Sequence, residues 1–221
     1  MRQITLIIFL LSMMTINGEA QIFDKYGLNI GTSYSTQKWD YKLIPVNTSY
    51  IDYKVGFVAF VFAERKINKN LSVRPEIGYI QKGFVDNNKL VNIDGSFAGT
   101  IDKNVIFHDL ELNIGIKITP FIAKLNPYGL LGIYSDYMIF YKDAIFKENG
   151  SGLEFNIYEN QIENFNKSNL GGFVGMGFEL YEKIYIEFTI TPTFTNRFND
   201  TSLKIKDDSM ELKLGFNINQ W

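Results

Sequence analysis

The chain contains no cysteine. That excludes disulfides, thiolate metal sites, thiol nucleophiles and a lipidated cysteine near its start. It has a single histidine, His108, so an imidazole-based metal centre has no ligand set. Beyond the first residues, no apolar run comes near the roughly 20 residues that a membrane-spanning helix needs. Neither sign of charge dominates, with 22 Lys+Arg scattered among 24 Asp+Glu. A scattered balance leaves no footprint for nucleic acid as a partner. Aromatic residues, by contrast, are plentiful: 19 Phe and 13 Tyr, side chains that suit strands.

Residues 1–20 read as a cleavable signal peptide. Arg2 supplies the positive end, Ile4 to Met14 the apolar stretch, and Gly18 and Ala20 the small residues that precede a cut before Gln21. Residues 21–221 then form one domain. An exported chain without disulfides must rely on its own core or on a membrane.

Strict alternation marks six strands. In "HDLELNIGIKI", Leu110, Leu112, Ile114, Ile116 and Ile118 share one face, while Asp109, Glu111, Asn113, Gly115 and Lys117 share the other. The same two-faced pattern recurs from Tyr26 to Tyr34, Leu71 to Tyr79, Leu170 to Leu180, Ile184 to Phe194 and Met210 to Ile218. Two further strands, "YKVGFVAFVFAE" and "NPYGLLGIYSDYMIFY", are apolar on both parities. For the first of these, Tyr53, Val55, Phe57, Ala59 and Val61 are assigned to the apolar face, which leaves Phe60 and Phe62 on the other. Eight strands result, and the six clear runs have the 9–11 residues that a tilted strand needs to cross a bilayer. Their connections alternate. Long loops at about 35–52, 82–105, 142–167 and 197–208 are separated by the short turns "RKINKN", "PFIAKL" and "YEK". Long loops on one rim and short turns on the other are how outer-membrane barrels are built. Asp94-Gly95 and Asn149-Gly150 suggest hairpin ribbons within two of the long loops.

Volume decides which face points inward. An eight-stranded barrel is just wide enough inside for side chains to fill it, and five large aliphatics from each strand would crowd it. The opposite face carries Gly27, Gly31, Gly78, Gly115, Gly171, Gly175, Gly177 and Gly215, together with Arg74, Glu76, Glu111, Lys117, Glu179, Glu187, Glu211 and Lys213. Glycine in a strand is kept where something approaches closely, and charges of mixed sign can pair in a narrow lumen. The expected fold is therefore all-β: an eight-stranded antiparallel up-and-down transmembrane β-barrel with its aliphatic face toward lipid. Tyr26, Tyr34, Tyr53, Tyr79 and Trp221 fit its interfacial girdles. The competing architecture is a secreted, soluble lipocalin-like ligand-binding barrel.

The segments "YGLNIGTSYS", "LSVRPEIGYIQKG", "DLELNIGIKI", "PYGLLGIY", "GGFVGMGFEL" and "ELKLGFNI" are spread over the mature chain. In their order and spacing the chain resembles the PorT-type outer-membrane β-barrel proteins of Bacteroidetes. It departs from that pattern at Phe60, where a small residue is usual, and in running on to "NQW". The resemblance implies an eight-stranded outer-membrane barrel. Some relatives assist a system that secretes proteins across this membrane.

Little in the chain points to chemistry. His108 and Asp109, with a loop serine such as Ser96, would be the parts of a lipid A-modifying enzyme, but nothing in the spacing selects a serine. Asp94 and the Asp207-Asp208 pair offer at most a weak calcium site. "GGFVGMG" lies in a strand with no helix after it, unlike a phosphate-binding loop. No catalytic, metal or cofactor site is therefore expected. The remaining expectation is a non-enzymatic outer-membrane protein whose long extracellular loops contact a partner. That partner would be an envelope or secretion-system protein, lipopolysaccharide or a host surface, with "FNIYENQIENFN" as the preferred contact segment.

Overall fold

The computed structural model describes residues 22–42, 49–86, 99–121, 124–148 and 151–218. The expected signal segment, Asp94-Gly95, Ser96, Asn149-Gly150 and Trp221 lie outside them. Eight strands follow in chain order: β1 Lys25–Tyr41, β2 Asp52–Lys66, β3 Leu71–Val85, β4 Asn104–Ile118, β5 Leu125–Lys142, β6 Ser168–Leu180, β7 Ile184–Pro192 and β8 Leu203–Asn217. Each pairs antiparallel with its chain neighbour, and β8 pairs back onto β1 to close the barrel. The closing register runs unbroken from Gly27–Asn217 to Tyr41–Leu203.

Burial settles the facing. On β4, Leu110, Leu112, Ile114, Ile116 and Ile118 are 43–50% exposed, while Asp109 and Glu111 are at 0%. An aliphatic face left bare beside a buried charged face is the reverse of a soluble barrel, so the lipocalin-like alternative fails. On β2, Val58, Phe60 and Phe62 point inward and Tyr53, Val55, Phe57 and Val61 outward. On β5, Tyr128, Leu130, Tyr134, Asp136 and Met138 point inward.

Most strands are longer than a bilayer requires, reaching 18 residues in β5. Their surplus rises above the membrane on the long-loop rim. The last loop is accordingly shorter than expected. Phe198 and Asn199 pair with Ile205 and Lys204, so most of 197–208 is a hairpin continuing the barrel wall. On the opposite rim, the Leu180–Lys183 turn is closed by a hydrogen bond from Lys183 N–H to the Leu180 carbonyl. Its central residues, Tyr181 and Glu182, both have positive φ (50° and 57°), as the two-residue hairpin turn requires.

Candidate functional site

The lumen is filled by three tiers of ion pairs. Nearest the short turns, Lys117 Nζ lies 3.0 Å from Glu64 and 2.8 Å from Glu179, which also takes Lys25 at 2.7 Å. In the middle, Arg74 joins Glu76 (2.6 Å) to Glu187 (2.8 Å), and Lys213 joins Glu187 (2.9 Å) to Glu211 (3.1 Å). Arg74 also lies over the rings of Phe62 and Tyr185. In the outer tier, Lys82 binds Glu111 (2.7 Å) and Asp136 (2.8 Å), while Arg197 binds Asp109 (3.1 Å) and Asp207 (2.6 Å). An unpaired buried charge is costly, so the mixed signs on the inner face are what make a polar lumen tenable. A space of about 10 Å³ remains among Arg74, Asn113, Phe173 and Glu187, room for about one water.

Above the outer tier sits an apolar cap. Trp39, Phe84, Val105, Phe107 and Met138 from the wall pack with Ala144, Ile162 and Phe165 from the 143–167 loop, and with Leu203 and Ile205. A single helical turn, Glu159–Ile162, carries Ile162 into the mouth. The expected contact segment is thereby divided. Ile157, Tyr158, Ile162 and Phe165 belong to the cap, whereas Phe155 stays exposed. The Asp143 carboxylate fixes the fold of the loop by accepting the Ala144 N–H (2.6 Å) and the Tyr158 N–H (3.0 Å). Burial raises the Asp143 pKa. It also raises that of the Tyr158 hydroxyl, which donates to Asp86 at 2.7 Å.

Beyond the cap, two loops join in a small sheet: Ile145–Glu148 pairs with Gly99–Asp102 on one side and Glu154–Asn156 on the other. Lys142 reinforces it through Asp102 at 2.8 Å, and that hydrogen bond lowers the Asp102 pKa. Glu154–Asn156 is exposed throughout and, among the described residues, is paired on one side only, beside exposed Leu153.

The chemical candidates do not assemble. His108 stands on the outer wall, stacked on Phe140 (3.8 Å) and bonded to the Tyr79 hydroxyl. Asp109 points the other way, into the lumen, toward Arg197. Asp207 faces inward to Arg197 and Gln37 (2.8 Å). Asp208, its neighbour on the strand, is partly exposed on the opposite face, so the pair shares no site. Among the described residues, no group of three His, Asp or Glu side chains is placed to hold a metal ion. "GGFVGMG" is strand β6, where Gly171 leaves room for the Tyr134 ring. Sequence reasoning missed Arg197, because the inward alternation of Tyr185, Glu187, Thr189, Thr191 and Thr193 breaks at exposed Thr195 before reaching it.

The chain is similar to the attachment invasion locus protein Ail of Yersinia pestis, at 13% identity and a TM-score of 0.37, covering 87% of this chain and 99% of that one. It is also similar to Neisserial surface protein A, at 10% identity and a TM-score of 0.44, covering 86% and 97%. OprG from Pseudomonas aeruginosa is similar at 9% identity and a TM-score of 0.44, covering 88% and 95%. No curated protein matches. Residues 4–219 match the family model of the outer membrane protein beta-barrel domain, and the chain belongs to that family, as a protein of the outer membrane.

Proposed function

We propose that this barrel is a non-enzymatic outer-membrane scaffold that presents its extracellular loop sheet to a protein partner of the envelope or cell surface. The observation that carries this reading is the division of labour at the mouth. The cap and the ion-pair tiers close the lumen, and among the described residues the edge Glu154–Asn156 with exposed Leu153 and Phe155 offers an apolar surface above the membrane. Loops on a rigid scaffold are where contacts concentrate, and an exposed edge strand is a ready template for another chain. The resemblance to PorT-type proteins favours a component of a secretion system as that partner. Against a lipid A-modifying role, His108 has its carboxylate neighbour on the wrong side of the wall.

Photo-crosslinking in cells tests this reading. A probe replacing Phe155 should give a discrete protein adduct, and the same probe at lipid-facing Leu131 should not. Adducts absent from Phe155 would remove the scaffold reading. A change in lipid A mass that depends on His108 would replace it with an enzymatic one.

A further inference from the structure

The outer wall where β1 and β8 close carries a feature that the loop-sheet reading does not use. Lys38 and Lys206 stand directly opposite each other in the closing register. Like charges directly opposite on one face are destabilising, and Asp208, one outward position below Lys206, offsets this pair only in part. Lys38 reaches Asp40 only at 3.9 Å, and Lys206 spends its donors on the carbonyls of Phe194 (3.1 Å) and Thr193 (3.5 Å). A third lysine, Lys204, lies two residues above Lys206 on the same face, opposite Asp40.

The height of this pair on the wall is informative. Two outward positions below Lys38 is Tyr34, stacked on Tyr53 with ring centroids 4.4 Å apart, an aromatic pair of the kind that marks the membrane interface. The lysines therefore sit at headgroup level. Immediately below Lys206, a groove of about 440 Å³ crosses the wall between Tyr53, Ile190, Pro192, Asp208 and Met210. Its lining is mostly apolar and it faces lipid. Along β1 and β8 the outward face here carries Lys38, Lys204 and Lys206 against Asp40 and Asp208.

From this arrangement we infer that the β7–β8–β1 wall is a docking site for a phosphorylated, acylated lipid of the outer leaflet. A phosphate would lie between Lys38 and Lys206, with an acyl chain in the groove beneath. A phosphate placed there relieves the like-charge pair, and the groove gives the chain a fixed path. An uncharged lipid would satisfy only the second half of the site. A phosphorylated macromolecule without acyl chains would satisfy only the first.

The test uses the full chain in detergent, with bisphosphorylated lipid A, its dephosphorylated form and inorganic phosphate as separate probes. Bound lipid is read by native mass spectrometry. The parent should retain lipid A at least tenfold better than the dephosphorylated form. Lys38→Gln with Lys206→Gln should erase that preference. Met210→Trp, which fills the groove and leaves the charges intact, should weaken both lipids equally. Each variant's heat-dependent gel mobility confirms that its barrel is closed. Equal retention of the two lipids by the parent would overturn the proposal, as would an unchanged preference in the double variant. Inorganic phosphate competing as well as lipid A would overturn the acyl half and, with it, the assignment to a lipid.

Discussion

Arg197 and Asn166 hold each other above the neighbouring strands β6 and β7: the Asn166 N–H donates to the Arg197 carbonyl at 2.7 Å, and the Arg197 guanidinium donates back to the Asn166 carbonyl at 3.4 Å. Asn166 follows Phe165, one of the residues that plug the mouth. The same guanidinium is the cation of the outer lumen tier. Closing the mouth and neutralising the lumen thus meet at one residue, through its backbone and its side chain.

Arg197→Met should therefore do two things at once. It leaves Asp109 and Asp207 without their shared cation, which should cost about 3–5 kcal/mol. It also removes the guanidinium's bond to the Asn166 carbonyl, which should loosen the end of the 143–167 loop while the backbone bond remains. The first effect is read as a lower denaturant midpoint in detergent, and the second as faster protease cleavage within the loop. Arg197→Lys should recover part of the midpoint. A midpoint lowered with no change in cleavage would show that loop and lumen are independent.

Gly175 tests how full the lumen is. A Cβ built there meets the Phe188 carbonyl oxygen and Thr189 Cγ2, each at 2.6 Å. Gly175→Leu should overpack the barrel by about 1–3 kcal/mol or more and lower refolding yield into lipid vesicles. A yield and midpoint equal to the parent's would mean that the wall yields at this level.

The loop sheet should respond to acid. The hydrogen bond from Lys142 holds the Asp102 pKa below its ordinary value of 3.8. A depressed carboxylate contributes stability above its unfolded pKa and loses it as pH falls through the folded one. Amide exchange of the Gly99–Asp102 and Ile145–Glu148 ladder should accelerate below about pH 4, relative to the barrel strands. Asp102→Asn should remove the change. Because the pair is largely exposed, the effect is expected to be small.

Tyr181 bears a backbone cost. Its φ of 50° lies in the left-handed region, which asparagine tolerates better than an aromatic residue. Tyr181→Asn should raise the denaturant midpoint by the equivalent of roughly 1 kcal/mol. A lower midpoint would show that the exposed ring's place at the membrane interface outweighs its backbone.

How much of this was legible depended on where water stops. Within the membrane the alternation of β4 and β8 gave their facing directly, and even β2 was readable once Phe60 and Phe62 were assigned inward. β5 was not, because its inward face also carries large apolar residues, Tyr128, Leu130, Tyr134 and Met138. Their room comes from glycines on the neighbouring strand β6, such as Gly171 and Gly177, which a strand read by itself does not reveal. Above the membrane the outward face is polar, as at Lys204, Lys206 and Asp208, so the contrast between faces fades and strand tops were taken for loop. Burial of Ile162 and Phe165 was out of reach for another reason. An apolar loop residue destined for its own barrel has the same composition as one awaiting a partner.

The closure of β8 onto β1 sets a constraint on time as well as on shape. The two strands that seal the barrel come from opposite ends of the chain, so nothing released before the last strand is present can complete the wall. Until then both open edges are exposed and can pair with another chain. Joining ends this distant in sequence is intrinsically slow. Insertion should accordingly behave as a single late commitment. A chain shortened by its last strand should be recovered as an aggregate or a degraded fragment, with no smaller barrel formed.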